Sequence, residues 1–204
     1  MNNTVTQTKP ERAPDARQSF TGASLTESQY DTATNIVAIM HRNIEKNGTF
    51  REPLTDFAHA FARGEKFDAM RGETIIRDLF KAINGETMNQ LRTRRMDREA
   101  TLRETGSEQA LYHANRVLSG IQDSPTMPFY QAYDQSAVAM AQRHGITETG
   151  AKSMMKEVFE ATEGRDLYEA GKEMEEQHHK PVRDAQRAAR KGEPRQMQRS
   201  GPQM

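Results

Sequence analysis

No stretch of this chain alternates apolar and polar residues over the length of a β-strand, whereas apolar side chains recur at helical spacing along most of it. Tyr30, Ala33, Ile36, Val37, Met40 and Ile44 fall on one side of a helix. Ahead of them, Ser24-Leu25-Thr26-Glu27 has the capping-box pattern, in which a hydroxyl and a carboxylate satisfy amides left open at a helix start. Asn47-Gly48 supplies the stop. The same reading predicts a helix that starts at Pro53 and closes at Gly64, and another from Glu73 to Ile83 ended by Asn84-Gly85. Phe67 and Met70 fall in a linking segment. Further helices are expected from Glu86 to Glu104, from Ser107 to about Ile121, from Thr126 to Arg143, and from Thr147 to about His179 with a break at Gly164. The expected fold class is all-α, a compact bundle of six to eight helices.

Composition places the boundaries. Only 34% of the 204 residues are apolar and none is Trp, against about 45–50% apolar, with Gly counted, in typical domains. The net charge is zero, so self-repulsion does not oppose a compact state. The shortage is concentrated at the ends. Residues 1–23, with Pro10 and Pro14 and no period, are expected to be a disordered N-terminal tail, 24–178 the helical bundle, and 179–204 a basic disordered C-terminal tail. Without cysteine there is neither a disulfide nor a thiolate ligand. The apolar runs are far shorter than the ~20 residues that span a bilayer, and the N-terminus lacks the apolar core of a secretory signal. A soluble, cytoplasmic protein is expected.

The chain also echoes itself. Asn35-Ile36-Val37 is answered by Asn115-Arg116-Val117, Phe50 by Phe129, Pro53 by Pro128, and Ile75–Gly85 by Met154–Gly164. Two duplicated three-helix units, about 24–85 and 107–164, would follow, joined by the Arg-rich 86–104 segment.

The second half contains the spacing of a helix-turn-helix. Ala141 falls where two helices cross, Gly145 makes the turn, and Ile146, Ala151 and Met154 face inward, with Thr147 as the cap. The exposed face of the second helix would carry Glu148, Thr149, Lys152, Ser153 and Lys156. His144 and the acids Glu157, Glu160 and Glu163 fit phosphate contact poorly. A structural hairpin is the alternative reading of the same spacing. Met140, Met154 and Met155 are read as core, with an adaptable partner groove as the alternative.

Arg92, Arg94, Arg95, Arg98 and Arg103 are interleaved with Asp97, Glu99 and Glu104. That pattern suits a solvated helix laced with ion pairs, and Arg92 and Arg95 are candidate contacts for nucleic acid or an acidic partner. Glu175 stands three and four residues before His178-His179, but no third ligand accompanies them, so no metal site is expected. No phosphate-binding glycine loop, cofactor motif or nucleophile context is present, and no catalytic residue is assigned.

The C-terminal stretch is divided by charge. Glu157–Glu176 carries a local charge of −6, and Lys180–Met204 one of +5. Arg183, Arg187 and Arg190 are the candidate contacts there. Together with Arg195 and Arg199 they resemble the Arg-rich C-terminal signals of proteins exported by bacterial type IV secretion, a resemblance that implies export. The leading functional expectation is a non-enzymatic helical adaptor or accessory protein that binds another protein and uses a basic tail. The alternative is a DNA-binding regulator acting through 137–161.

Overall fold

The computed structural model describes residues 25–124 and 126–192. Among these residues the regular elements are eight α-helices: α1 Glu27–Asn47, α2 Arg51–Glu65, α3 Ala69–Asn84, α4 Met88–Thr105, α5 Ser107–Asp123, α6 Phe129–His144, α7 Glu148–Glu163 and α8 Leu167–Gly192. Among the described residues there is no strand, so the all-α expectation and its helix number hold. The expectations for residues 1–23, Ser24, Arg195 and Arg199 lie outside the described residues.

The chain divides into two units. The first takes the described residues up to Ala100 together with Gly145–Thr149; the second takes Thr101–His144 and the described residues from Gly150 on. Within the first unit, α1, α2 and α3 pack mutually. Met40, Ile44, Phe50, Leu54, Ile76, Leu79, Phe80 and Leu91 are almost fully buried there. Each such side chain contributes about 1.5–3 kcal/mol relative to leaving it in water. Gly72 lets α3 approach α2 closely, since a Cβ there would lie 2.8 Å from the Ala58 carbonyl oxygen and 2.9 Å from the Ala62 Cβ. In the second unit α5 packs on α6 and α8, around Val117, Ile121, Phe129, Met140, Met155, Phe159 and Leu167.

Several helix ends differ from the sequence expectation for identifiable reasons. The capping box observed at the start of α1 is Thr26 with Gln29, each side chain bonding the other's backbone amide. Gly64 is not a stop. α2 runs to Glu65 and closes at Lys66, which takes a left-handed φ of 59°. The closure is set by Phe67, whose amide bonds the Ala62 carbonyl and whose ring meets Phe61 edge-on. Gly106, not Ser107, is the N-cap of α5. The break at Gly164 is complete and separates α7 from α8.

The last helix passes the expected limit near residue 178 and continues to Gly192 with Pro181 inside it. Proline removes one amide donor there, but Ala185, Gln186, Arg187, Ala188 and Ala189 are strong helix formers that carry the helix onward.

The internal echo becomes a register. At a constant offset of 79 residues, Phe50, Ala58, Phe61, Ala62, Ile75, Ile76, Phe80, Met88 and Leu91 match Phe129, Ala137, Met140, Ala141, Met154, Met155, Phe159, Leu167 and Ala170. Every one of these is buried. The left-handed residues coincide as well: Lys66 with Gly145 and Gly85 with Gly164. So do the caps Thr87 and Asp166, which accept from the Gln90 amide and from the Tyr168 and Glu169 amides. In the first helix the burial pattern shifts by 77, pairing Ala33, Val37, Met40 and Ile44 with Ala110, Ala114, Val117 and Ile121. Val37 therefore answers Ala114 rather than Val117, and Pro53 answers Ala132 rather than Pro128. Beyond the two expected units, α4 and α8 also begin in register, Met88 with Leu167.

Candidate interaction surface

Met88, Leu91, Arg95 and Glu99 share the inner side of α4, with Arg92 exposed at its edge. Arg92 Nε donates to the Gly48 carbonyl at 2.9 Å. Arg95 donates to the Ile146 carbonyl at 2.8 Å and to Glu45 at 2.5 Å. The Thr147 hydroxyl donates to the buried Glu99 carboxylate at 2.9 Å. The Arg95 side chain is only 12% exposed, and burial lowers its pKa against the opposing pull of Glu45. The two predicted contact arginines thus serve as fasteners inside the first unit. Arg92 holds the end of α1, and Arg95 holds the Gly145–Thr149 segment. Arg94 pairs with Glu86 and Arg103 with Glu157, and neither is the i,i+4 neighbour expected of a solvated helix.

The residues of the expected reading helix are similarly engaged. Thr149 donates to the Lys46 carbonyl at 3.1 Å. Lys152 Nζ lies 2.5 Å from Asp134, and its carbonyl accepts from the Tyr133 hydroxyl at 2.8 Å. Burial pushes that phenol up to about 12. Ser153 donates to Glu157 at 2.6 Å. Lys156 pairs with Asp166 at 3.0 Å, and this hydrogen bond raises the lysine pKa and lowers that of the aspartate. Ala141, Ile146, Ala151 and Met154 are buried, as a tight helical corner requires, and Gly145 has the left-handed φ of 67°. Met140, Met154 and Met155 are core, so the groove alternative for them falls away.

An aromatic cluster in the second unit was not legible beforehand. Phe129 stacks on Tyr133 with centroids 5.4 Å apart and meets Tyr168 edge-on at 5.4 Å. Tyr130 and Tyr168 are 57% and 43% exposed, with rings 5.8 Å apart. Lys172 Nζ lies 5.1 Å from the Tyr130 centroid and 3.0 Å from Glu175, which also accepts the Phe129 amide. The counterparts of Tyr130, Tyr168 and Lys172 at the 79-residue offset are Arg51, Asn89 and Thr93. The helix pattern is built once without these rings, so the fold does not require them. Their only signal in the sequence was that three of the five tyrosines belong to this set.

Ser136 and His113 approach one another without forming a nucleophilic pair. The hydroxyl donates to the His113 carbonyl at 2.6 Å, while Nδ1 stands 3.5 Å away. The His113 ring lies 6.4 Å from that of His144, edge to face. Burial lowers both histidine pKa values; His144 and then Arg116 and Arg143 lower that of His113 further, and Arg143 acts on His144 too. The folded state resists protonation that the unfolded chain accepts near pH 6.5. Stability of the second unit is therefore full above that pH and falls as pH drops through the depressed folded values. Thermal melts from pH 7.5 to 5 are expected to shift downward, and His113→Gln should flatten the dependence. A melting temperature independent of pH in wild type would contradict this.

On α8, Lys180, Pro181, Asp184, Ala185, Gln186, Arg187, Ala188 and Ala189 are exposed beyond the buried His179. Positions 183, 187 and 190 fall on one side of the helix. His179 Nδ1 stands 3.9 Å from Glu175, and among the described residues no group of three or more His, Cys, Asp or Glu could hold a metal ion. Among the same residues no helix is long and apolar enough to cross a membrane. The chain matches no protein-family model, no curated protein and no solved structure.

Proposed function

We propose that this is a non-enzymatic helical interaction protein whose binding element is the basic end of α8 and whose partner presents an acidic surface. The supporting observation is the continuation of α8 beyond His179 with almost every described side chain exposed. Residues 180–191 carry Lys180, Arg183, Arg187, Arg190 and Lys191 against Asp184 alone. A helix end whose described side chains lie mostly in water presents them to a partner. The groove-reading alternative has less support, because Lys152 and Lys156 are already neutralised by Asp134 and Asp166.

The test is retention on immobilised poly-glutamate and on duplex DNA at low salt. Wild-type protein is expected to bind poly-glutamate. The triple variant Arg183→Glu, Arg187→Glu, Arg190→Glu should pass through unretained with its helical content intact. Full retention of that variant would refute the proposal. Duplex binding abolished by Lys152→Glu with Lys156→Glu would favour the groove reading instead.

A further inference from the structure

Residues 169, 173, 176, 180, 183, 187 and 190 succeed one another at alternating steps of four and three along α8. That 3.5-residue repeat keeps them on one continuous stripe, the spacing by which helices pair side by side. The stripe reads Glu169, Glu173, Glu176 and then Lys180, Arg183, Arg187, Arg190. Its acidic members are exposed, as are Lys180 and Arg187. At the 79-residue offset, the counterparts of its first four positions are Gln90, Arg94, Asp97 and Thr101, which show no such division. The helix pattern is therefore formed once without this charge arrangement, as it is without the tyrosines beside the stripe.

A helix acidic at one end and basic at the other is complementary to itself when reversed. We propose that α8 is a self-association surface through which two copies of this chain pair antiparallel. This rests on the reading above and gives its acidic partner a definite form: the acidic half of α8 in a second copy. Centred close to Lys180, the pairing sets Glu169 opposite Arg190, Glu173 opposite Arg187 and Glu176 opposite Arg183, each twice by the twofold axis. Parallel pairing would set acid on acid and base on base, so the charges also specify the direction.

Two local features oppose the pairing and both are small. Lys180 meets its own equivalent at the axis, where Glu176 lies one turn away to offset it. Glu173 already pairs with Arg165 at 3.4 Å, but both side chains are more than half exposed, and exposed pairs of this kind are weak. The interface is charged rather than apolar, so its formation depends strongly on salt.

The experiment is the molar mass of the full chain by sedimentation equilibrium. A dimer is expected at about 20 mM salt and a monomer at about 0.5 M, where screening is strong. The variant Glu169→Lys, Glu173→Lys, Glu176→Lys and the variant Arg183→Glu, Arg187→Glu, Arg190→Glu should each be monomeric alone at low salt. Mixed, they should form a heterodimer, which a variant damaged in folding could not do. Wild-type monomer at low salt, or undiminished dimer in both variants, would overturn the inference. If wild type is monomeric yet still binds poly-glutamate through its arginines, self-pairing fails while the broader reading stands.

Discussion

Gly171→Leu is expected to unfold the second unit at temperatures where the wild-type chain is intact. Gly171 is buried on α8, and even a Cβ added there would fall within the space of the Phe129 ring. That ring has little freedom to move. It is 2% exposed and wedged against Tyr133 and Tyr168, and its backbone amide is held by Glu175. Overfilling a packed core costs about 1–3 kcal/mol and occasionally more; a leucine against a confined ring belongs at or above the upper figure. For a unit of this size each kcal/mol lowers the melting temperature by about 4–8 °C. A fall of more than about 10 °C should therefore be seen in a thermal melt followed by circular dichroism. Phe129→Ala alone should cost about 3–5 kcal/mol through the cavity it leaves. The two changes together should cost less than their sum, because each relieves the defect of the other. Strict additivity would show that the ring and the glycine do not share one space.

Arg95→Ala is expected to weaken the first unit by about 2–3 kcal/mol, the magnitude of leaving buried polar groups without partners. Most of that loss belongs to the Ile146 carbonyl, because Glu45 is 40% exposed and water replaces its partner readily. Arg95→Lys should recover little of the loss, since a single ammonium cannot span two acceptors as the planar guanidinium does. Amide exchange around residues 146–150 should accelerate in both variants before global unfolding. A lysine variant as stable as wild type would mean that charge alone, rather than the forked geometry, holds the segment.

The helices were legible because their apolar residues repeat at 3.6, and Gly48, Gly85 and Gly164 marked three of their ends correctly. Gly64 misled because an aromatic contact, Phe67 on Phe61, decides where α2 closes, and no local signal records a partner six residues back. The shared register of α4 and α8 was missed because α4 puts Arg95 and Glu99 on its inner side. A hydrophobic pattern cannot register an inward Arg95 whose partners are a carbonyl at Ile146 and a carboxylate at Glu45. The charge division of α8 was visible in composition, but its arrangement as a stripe was not, since Pro181 argued for an end to the helix that the alanines beyond it override. The tyrosine cluster depended on α6 and α8 meeting, which spacing along the chain does not reveal.

The place of Gly145–Thr149 in the first unit has a consequence for biosynthesis. When the ribosome has added residues as far as Ala100, Arg95 and Glu99 have been made, but the Ile146 carbonyl and the Thr147 hydroxyl that they bond do not yet exist. At about 5–20 residues per second, the remaining stretch to Thr149 takes on the order of 2–10 s. Through that interval Arg95 and Glu99 lack these two later partners, while Glu45 is already present for Arg95. Completion of the first unit is timed by the synthesis of the half that follows.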